Sequence, residues 1–302
     1  MRNIRRFFDI LWYFGKRKIL KMKIPLLASF KITYRCNLSC LGCPFHRLAM
    51  GKKVSLTWEE ATSLLTKLKK TGAGIVIFEG GEPLLWQEGD HTLKDLILYG
   101  KKLFSTVGLT TNGTLPFDQI PADVIWVSMD GLKETHDRLR SGSFDRVWEN
   151  LKNTCHPKVL VHFTVNRENL SDLEPLLEKL KALPTVKGVT VQLFYPYGRG
   201  EAPLLLQPSE RKKILTTVME LKKRYPIFNS HRGLLGLGGY LFPCHDDVLI
   251  NVDPDGTVST GCYARNRGDV HCEHCGFTPI AEASGALDLE IGSLLAGLRT
   301  FF

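Results

Sequence analysis

Between residues 29 and 194 the chain alternates two rhythms. Short, almost continuously apolar runs, SFKITYR (29–35), GIVIFE (74–79), STVGLTT (105–111), DVIWVSM (123–129), KVLVHFTV (158–165) and GVTVQLF (188–194), are separated by longer stretches of helical period. Runs of that length and composition read as parallel strands buried on both faces. Thr57 and Glu60 form a capping-box pair that opens a helix running to about Lys70 and stopping before Gly72. Ser171 and Glu174 repeat the device, and Pro208 with Ser209 opens a helix reaching roughly Arg224. Six strands with helices between them predict an α/β fold, a partial (β/α)6 TIM-like barrel whose sites gather at the carboxyl ends of the strands.

The two ends of the chain break this rhythm. In MRNIRRFFDILWYFG, Ile4, Phe7, Phe8, Leu11 and Phe14 recur at helical spacing while Arg5, Arg6 and Asp9 fall elsewhere. The pattern predicts an amphipathic helix ending near Gly15, its apolar face set either against a barrel or at a lipid surface. From about residue 227 the chain becomes glycine-rich (GLLGLGGY) and then cysteine-bearing, with LINVDPDGTVST reading as a hairpin through Pro254, Asp255 and Gly256. Three segments result: a basic extension (1–26), the barrel (27–226) and a small cysteine-rich domain (227–302).

Composition places the chain in the ordinary globular class, with 302 residues, 43% hydrophobic. Charge changes the picture more. Of the net +9, residues 1–23 carry +7, from Arg2, Arg5, Arg6, Lys16, Arg17, Lys18, Lys21 and Lys23 against Asp9. A basic character confined to one end argues against a nucleic-acid-binding body and for a local basic element. The apolar runs are too short to span a membrane and the start does not read as a secretion signal, so the expected location is cytoplasmic, with peripheral contact at the inner membrane face through residues 1–23. Eight cysteines are too few for a disulfide scaffold. Seven fall into two groups, and Cys155 stands alone, an expected buried apolar thiol.

The first group is Cys36, Cys40 and Cys43 in CNLSCLGC, spaced C-x3-C-x2-C immediately after the first strand. Three soft thiolates in one short loop suit a corner of a 4Fe-4S cluster and leave one iron open. A partial zinc site is the plainer alternative. With this motif the chain resembles the radical SAM superfamily. That resemblance implies S-adenosylmethionine chelating the open iron, and it extends to GGEP after the second strand, implying cofactor-binding roles for Gly80, Gly81, Glu82 and Pro83. TTNGT after the third strand brings in Asn112. SMDGLKETHDRLR after the fourth brings in Ser128 and Asp130, and HFTVNREN and YPYGRG bring in Asn166 and Arg199. Each also reads as a turn, cap or surface residue. Gly42 departs from the family pattern, which often has an aromatic before the third cysteine.

The resemblance further implies one-electron reductive cleavage of S-adenosylmethionine by a reduced cluster, supplied by a reductant such as flavodoxin or ferredoxin, and hydrogen-atom abstraction by the 5′-deoxyadenosyl radical. The second group, Cys244, Cys262, Cys272 and Cys275, resembles the auxiliary-cluster domains called SPASM and twitch, here in a short form with the Gly256-to-Cys262 gap one residue longer. One auxiliary 4Fe-4S cluster is implied. A four-cysteine zinc site is the alternative, with His245, His271 and His274 beside the thiols. Relatives in this branch imply a peptide or protein side chain as substrate. The basic aromatic start instead suits a membrane lipid or isoprenoid, and an iron-sulfur electron carrier is the reading that involves no enzyme. No catalytic acid or base stands out.

Overall fold

The computed structural model describes residues 2–45, 53–198, 200–238, 243–265 and 269–302. Helix α1 (Arg2–Phe14) leads to β1 (Leu27–Thr33), and the barrel continues through α2 (Trp58–Thr71), β2 (Ile75–Gly80), α3 (Leu93–Leu103), β3 (Thr106–Thr111) and β4 (Val124–Ser128). It goes on through α4 (Lys133–Leu139), α5 (Phe144–Asn153), β5 (Val159–Val165), α6 (Leu173–Leu180), β6 (Val186–Leu193) and α7 (Pro208–Leu221). Strands β1 to β6 pair in chain order, all parallel, so the six apolar runs form the six predicted strands.

The remaining chain gives α8 (His231–Leu237), β7 (Leu249–Val252), β8 (Val258–Thr260), α9 (Thr278–Leu287) and α10 (Ile291–Phe301). The predicted hairpin is present: the Asp253 N–H donates to Thr257 O at 3.0 Å and Gly256 takes φ +89°. Its partner is what the pattern did not reveal. β7 lies parallel to β1, from Leu27 opposite Leu249 to Phe30 opposite Val252, and covers an edge that would otherwise expose unpaired backbone. The sheet order is β8-β7-β1-β2-β3-β4-β5-β6.

Strand parity sorts the core into two sides. Ala28, Phe30 and Ile32 of β1 join Val76, Phe78, Val127 and Val161 under the helices, among Leu65, Leu96 and Leu177. Leu27, Ile75, Ile77, Val124, Trp126 and Leu160 belong to the other side, with Leu249 and Phe277. That second parity, continued by Glu79, Ser128, His162, Thr164, Thr190 and Gln192, lines the interior cavity.

The α2 capping box forms as expected, Thr57 Oγ1 accepting the Glu60 N–H at 3.3 Å and Glu60 accepting the Thr57 N–H at 2.8 Å. Pro208 opens α7 as expected, with Gln207 at the cap, and the helix ends at Leu221 before a turn to Arg224. Two expectations fail. Asp172, not Ser171, precedes α6, with its carboxylate accepting the Leu132 N–H at 2.9 Å while Glu174 reaches out to Arg224. Cys155 is exposed, because it sits in the connection after α5 while its neighbours Thr154 and His156 take the buried places.

Helix α1 turns a polar side inward. Arg6 Nε donates to Ser105 O at 2.7 Å and its guanidinium pairs with Asp123 at 2.8 Å, Asp9 accepts from the Ser105 hydroxyl, and Tyr13 is buried. Phe8, Leu11 and Trp12 point outward, 62%, 50% and 63% exposed. Ile4 and Phe7 lie outside the described side chains. Among the described residues no helix is long and apolar enough to cross a membrane.

Candidate active site

At the carboxyl ends of the strands, the loop after β2 is fastened to the chain leaving β1. The Gly81 N–H donates to Thr33 O and the Glu82 N–H to Arg35 O, both at 2.8 Å. The approach is so close that a Cβ on Gly81 would lie 2.2 Å from Arg35 O, and Gly80 takes φ +125°. Only glycine fits at either place.

Glu82 is wholly buried and does not face the cavity. Its carboxylate accepts from the Asn112 N–H (2.7 Å), Thr111 Oγ1 (2.8 Å) and the Leu84 N–H (3.1 Å), tying the loop after β2 to the end of β3. Burial pushes its pKa up to about 7, against the pull of those donors. Pro83 is buried at the start of a short turn, Pro83–Leu85. Asn112 continues the chain of contacts toward the cysteine loop: its Nδ2 donates to Asn37 Oδ1 at 2.8 Å and approaches Cys36 Sγ at 3.7 Å.

Cys36, Cys40 and Cys43 are partly buried and face one shared cavity with Gly80, Gly81, Asn112, Ser128, Asp130 and Asn166. Burial raises the pKa of Cys36, and pushes Cys40 up to about 11 against the nearby Arg140 charge. Among the described residues no three Cys, His, Asp or Glu side chains converge on a single ion. Three soft thiols opening onto a large cavity fit an iron-sulfur cluster carrying an organic ligand.

Asp130 joins the loop after β4 to its neighbours. It accepts from the Thr164 N–H at 2.8 Å and from Arg140 Nε at 2.6 Å, a pair with side chains 8% and 16% exposed. Asn166 is buried, with Oδ1 accepting the Glu168 N–H at 2.9 Å. Arg199 lies outside the described residues. The sequence reading took Ser128 and Asp130 from SMDGLKETHDRLR but missed Arg140, the last residue of that stretch, which caps the end of α4. It also missed Phe194 just beyond β6, whose Cε2 would be 2.7 Å from a Cβ at Gly42. An aromatic ring therefore stands beside position 42 without being its side chain.

The cavity encloses about 930 Å³ and runs from the cysteine end down to Leu27, Ile75 and Thr106 at the opposite ends of the strands. Its wall is predominantly apolar. His162, with Nδ1 3.0 Å from Thr190 Oγ1, faces it, and burial lowers its pKa to about 4, so it is neutral at neutral pH. Beneath the wall, Lys31 is fully buried among Ser29 Oγ (2.7 Å), Asn251 Oδ1 (3.2 Å), Asp253 (3.6 Å) and Glu79 (3.8 Å).

The second cysteine group surrounds the β7–β8 hairpin and the loop before α9. Cys262 follows β8, its N–H donating to Asp246 at 3.3 Å, and burial followed by the charges of Cys275, Asp246 and Cys272 pushes it up to about 11. Cys272 and Cys275 share a single turn, with the Cys275 N–H on Cys272 O at 3.0 Å. Arg211 of α7 donates to the carbonyls of His274 (3.4 Å) and Cys275, and the Leu193 N–H donates to Gly276 O at 3.3 Å. These bonds fix the loop to the end of β6. Cys244 is exposed, and His245 and His271 are engaged by Asp288 (2.7 Å) and Glu273 (3.1 Å).

The Radical SAM superfamily model matches residues 30–180. The chain is 30% identical over 216 residues to the AdoMet-dependent heme synthase of Methanosarcina barkeri, covering 67% of this chain and 60% of that protein. It is 27% identical over 192 residues to the mycofactocin maturase MftC of Mycolicibacterium smegmatis, covering 58% and 46%. The chain thus spans about half the length of the curated relatives it matches. In fold it is similar to Streptococcus suis SuiB bound to the precursor peptide SuiA, with a TM-score of 0.65 at 14% identity over 95% of this chain and 70% of that one.

Proposed function

Since the chain belongs to the radical SAM superfamily, we propose that it abstracts a hydrogen atom from a substrate with an extended apolar body held in the cavity. Cys36, Cys40 and Cys43 would hold a 4Fe-4S cluster, which together with bound AdoMet would supply a 5′-deoxyadenosyl radical on reduction. Gly80 and Gly81 offer bare backbone to the cofactor, and Asn112 with Glu82 holds that loop in place. Ser128, Asp130 and Asn166 border the same space, Phe194 adds a ring beside Gly42, and Arg199 is assigned by resemblance alone. The apolar wall excludes water from a reactive radical and positions one C–H bond. Cys244, Cys262, Cys272 and Cys275 are assigned a second 4Fe-4S cluster, and flavodoxin or ferredoxin the role of reductant.

The observation that carries this reading is the shared placement of the three thiols and the glycine pair at one end of a 930 Å³ cavity. A peptide side chain is the second reading, favoured by the maturase among the relatives. The apolar wall favours a lipid or isoprenoid chain. Anaerobically reconstituted, dithionite-reduced protein is expected to form 5′-deoxyadenosine from AdoMet, and Cys36→Ala, Cys40→Ala and Cys43→Ala each to abolish it. Persistence in any of the three overturns the assignment. Cys272→Ala is expected to lower the iron content, and an unchanged count overturns the second centre.

A further inference from the structure

The end of the barrel opposite the cysteines carries an apolar shelf. Along α10 and its C-cap, Ile291, Leu295, Leu298 and Phe302 recur on one stripe and are 38–73% exposed, while Ser293 and Ala296 on the other side are buried. Helix α1 runs beside it, with the Arg6 guanidinium 5.9 Å from the centre of the Phe302 ring and Phe8, Leu11 and Trp12 turned outward. Past α1 the exposed chain interleaves the two chemistries: Lys18, Ile19, Leu20, Lys21, Met22 and Lys23.

Two features choose the occupant. Large apolar side chains exposed together on neighbouring helices, rather than scattered singly, point to an interaction site. Lysines spaced between large apolar side chains match a surface that is greasy beneath and negative on top, where their stems lie along the hydrocarbon and their charges reach the headgroups. The second feature is the cavity. Leu11, Trp12, Leu298 and Phe302 line it at this end as Cys36, Cys40 and Cys43 do at the other, so the shelf surrounds a mouth. A six-residue strand spans roughly 20 Å, and half the hydrocarbon core of a bilayer is about 15 Å. A chain drawn from one leaflet therefore covers about three quarters of the way along the strands toward the cysteine end.

We infer that the α1/α10 end docks on an anionic lipid bilayer and that the substrate is an amphiphile whose hydrocarbon chain enters the cavity through this mouth. What happens to the chain inside rests on the radical reading above. The docking does not.

The test uses the full protein, with its clusters reconstituted, and vesicles of phosphatidylcholine with or without phosphatidylglycerol. The protein is expected to co-sediment with the anionic vesicles and to be released by salt. The double variant I291E/L295E is expected to bind at least tenfold more weakly. Since each cation near an anionic surface contributes roughly fivefold, K18Q/K21Q/K23Q is expected to lose about a hundredfold. Iron content, unchanged in both, serves as the check on folding. Protein that stays in the supernatant at low salt, or an I291E/L295E variant that binds like the parent, overturns the inference. So does a dimer that I291E/L295E dissociates without any vesicle binding, which would assign the stripe to a second copy. Vesicle binding without 5′-deoxyadenosine formation would leave docking intact and remove the radical reading, and the converse would do the opposite.

Discussion

The two ends of the barrel are built on opposite principles. At the carboxyl ends of the strands directed hydrogen bonds tie the loops together: Gly81 and Glu82 donate to the chain leaving β1, Thr111 and Asn112 donate to Glu82, and Thr164 and Arg140 donate to Asp130. At the other end α1 is anchored by Arg6, Asp9 and Tyr13 and leaves Phe8, Leu11 and Trp12 largely exposed. One end is fixed in geometry and the other is fitted to a surface. The proposed function uses both: a radical that must meet one C–H bond needs the rigid end, and the apolar substrate we propose needs an apolar way in.

Breaking the rigid end should cost most. Asp130→Ala leaves the Arg140 guanidinium buried without its carboxylate, and removing one partner of a buried pair costs about 3–5 kcal/mol. Thermal unfolding should register the loss, and a midpoint unchanged from the parent would show that the pair does not hold this end together. Glu82→Gln should cost less, about 1–3 kcal/mol, because the amide cannot accept from both the Asn112 N–H and the Thr111 hydroxyl without turning its NH2 toward a donor. This variant also carries a pH signature. Glu82 has its folded pKa raised from 4.5 to about 7. Its contribution is therefore fully present below pH 4.5 and is lost as the pH rises to about 7. The parent should lose stability across that window and the variant should lose less. Equal slopes would mean that the carboxyl is ionised throughout.

Much of the rigid end was legible in the sequence, because its chemistry is local. CNLSCLGC and GGEP sit directly after strands whose apolar runs are continuous, so motif and placement arrive together. Partnerships between distant residues were not legible. LINV reads as half of a hairpin, yet nothing in it says that Leu249 will lie opposite Leu27. Arg140 matters only because the turn of α4 brings it back to Asp130. Helix α1 was half legible: its period predicts a helix with an apolar face, but which face turns inward depends on Asp123 and Ser105, which lie about a hundred residues away and accept from Arg6.

The most direct test of a single passage joining the two ends is to follow the abstracted atom. Protein reduced anaerobically with AdoMet would be given total membrane lipid from cells of the source organism grown in heavy water, and the 5′-deoxyadenosine analysed by mass. Deuterium in its methyl group is the predicted result. Product that forms readily yet remains unlabelled with deuterated lipid, while a peptide fraction stimulates it, would contradict the account.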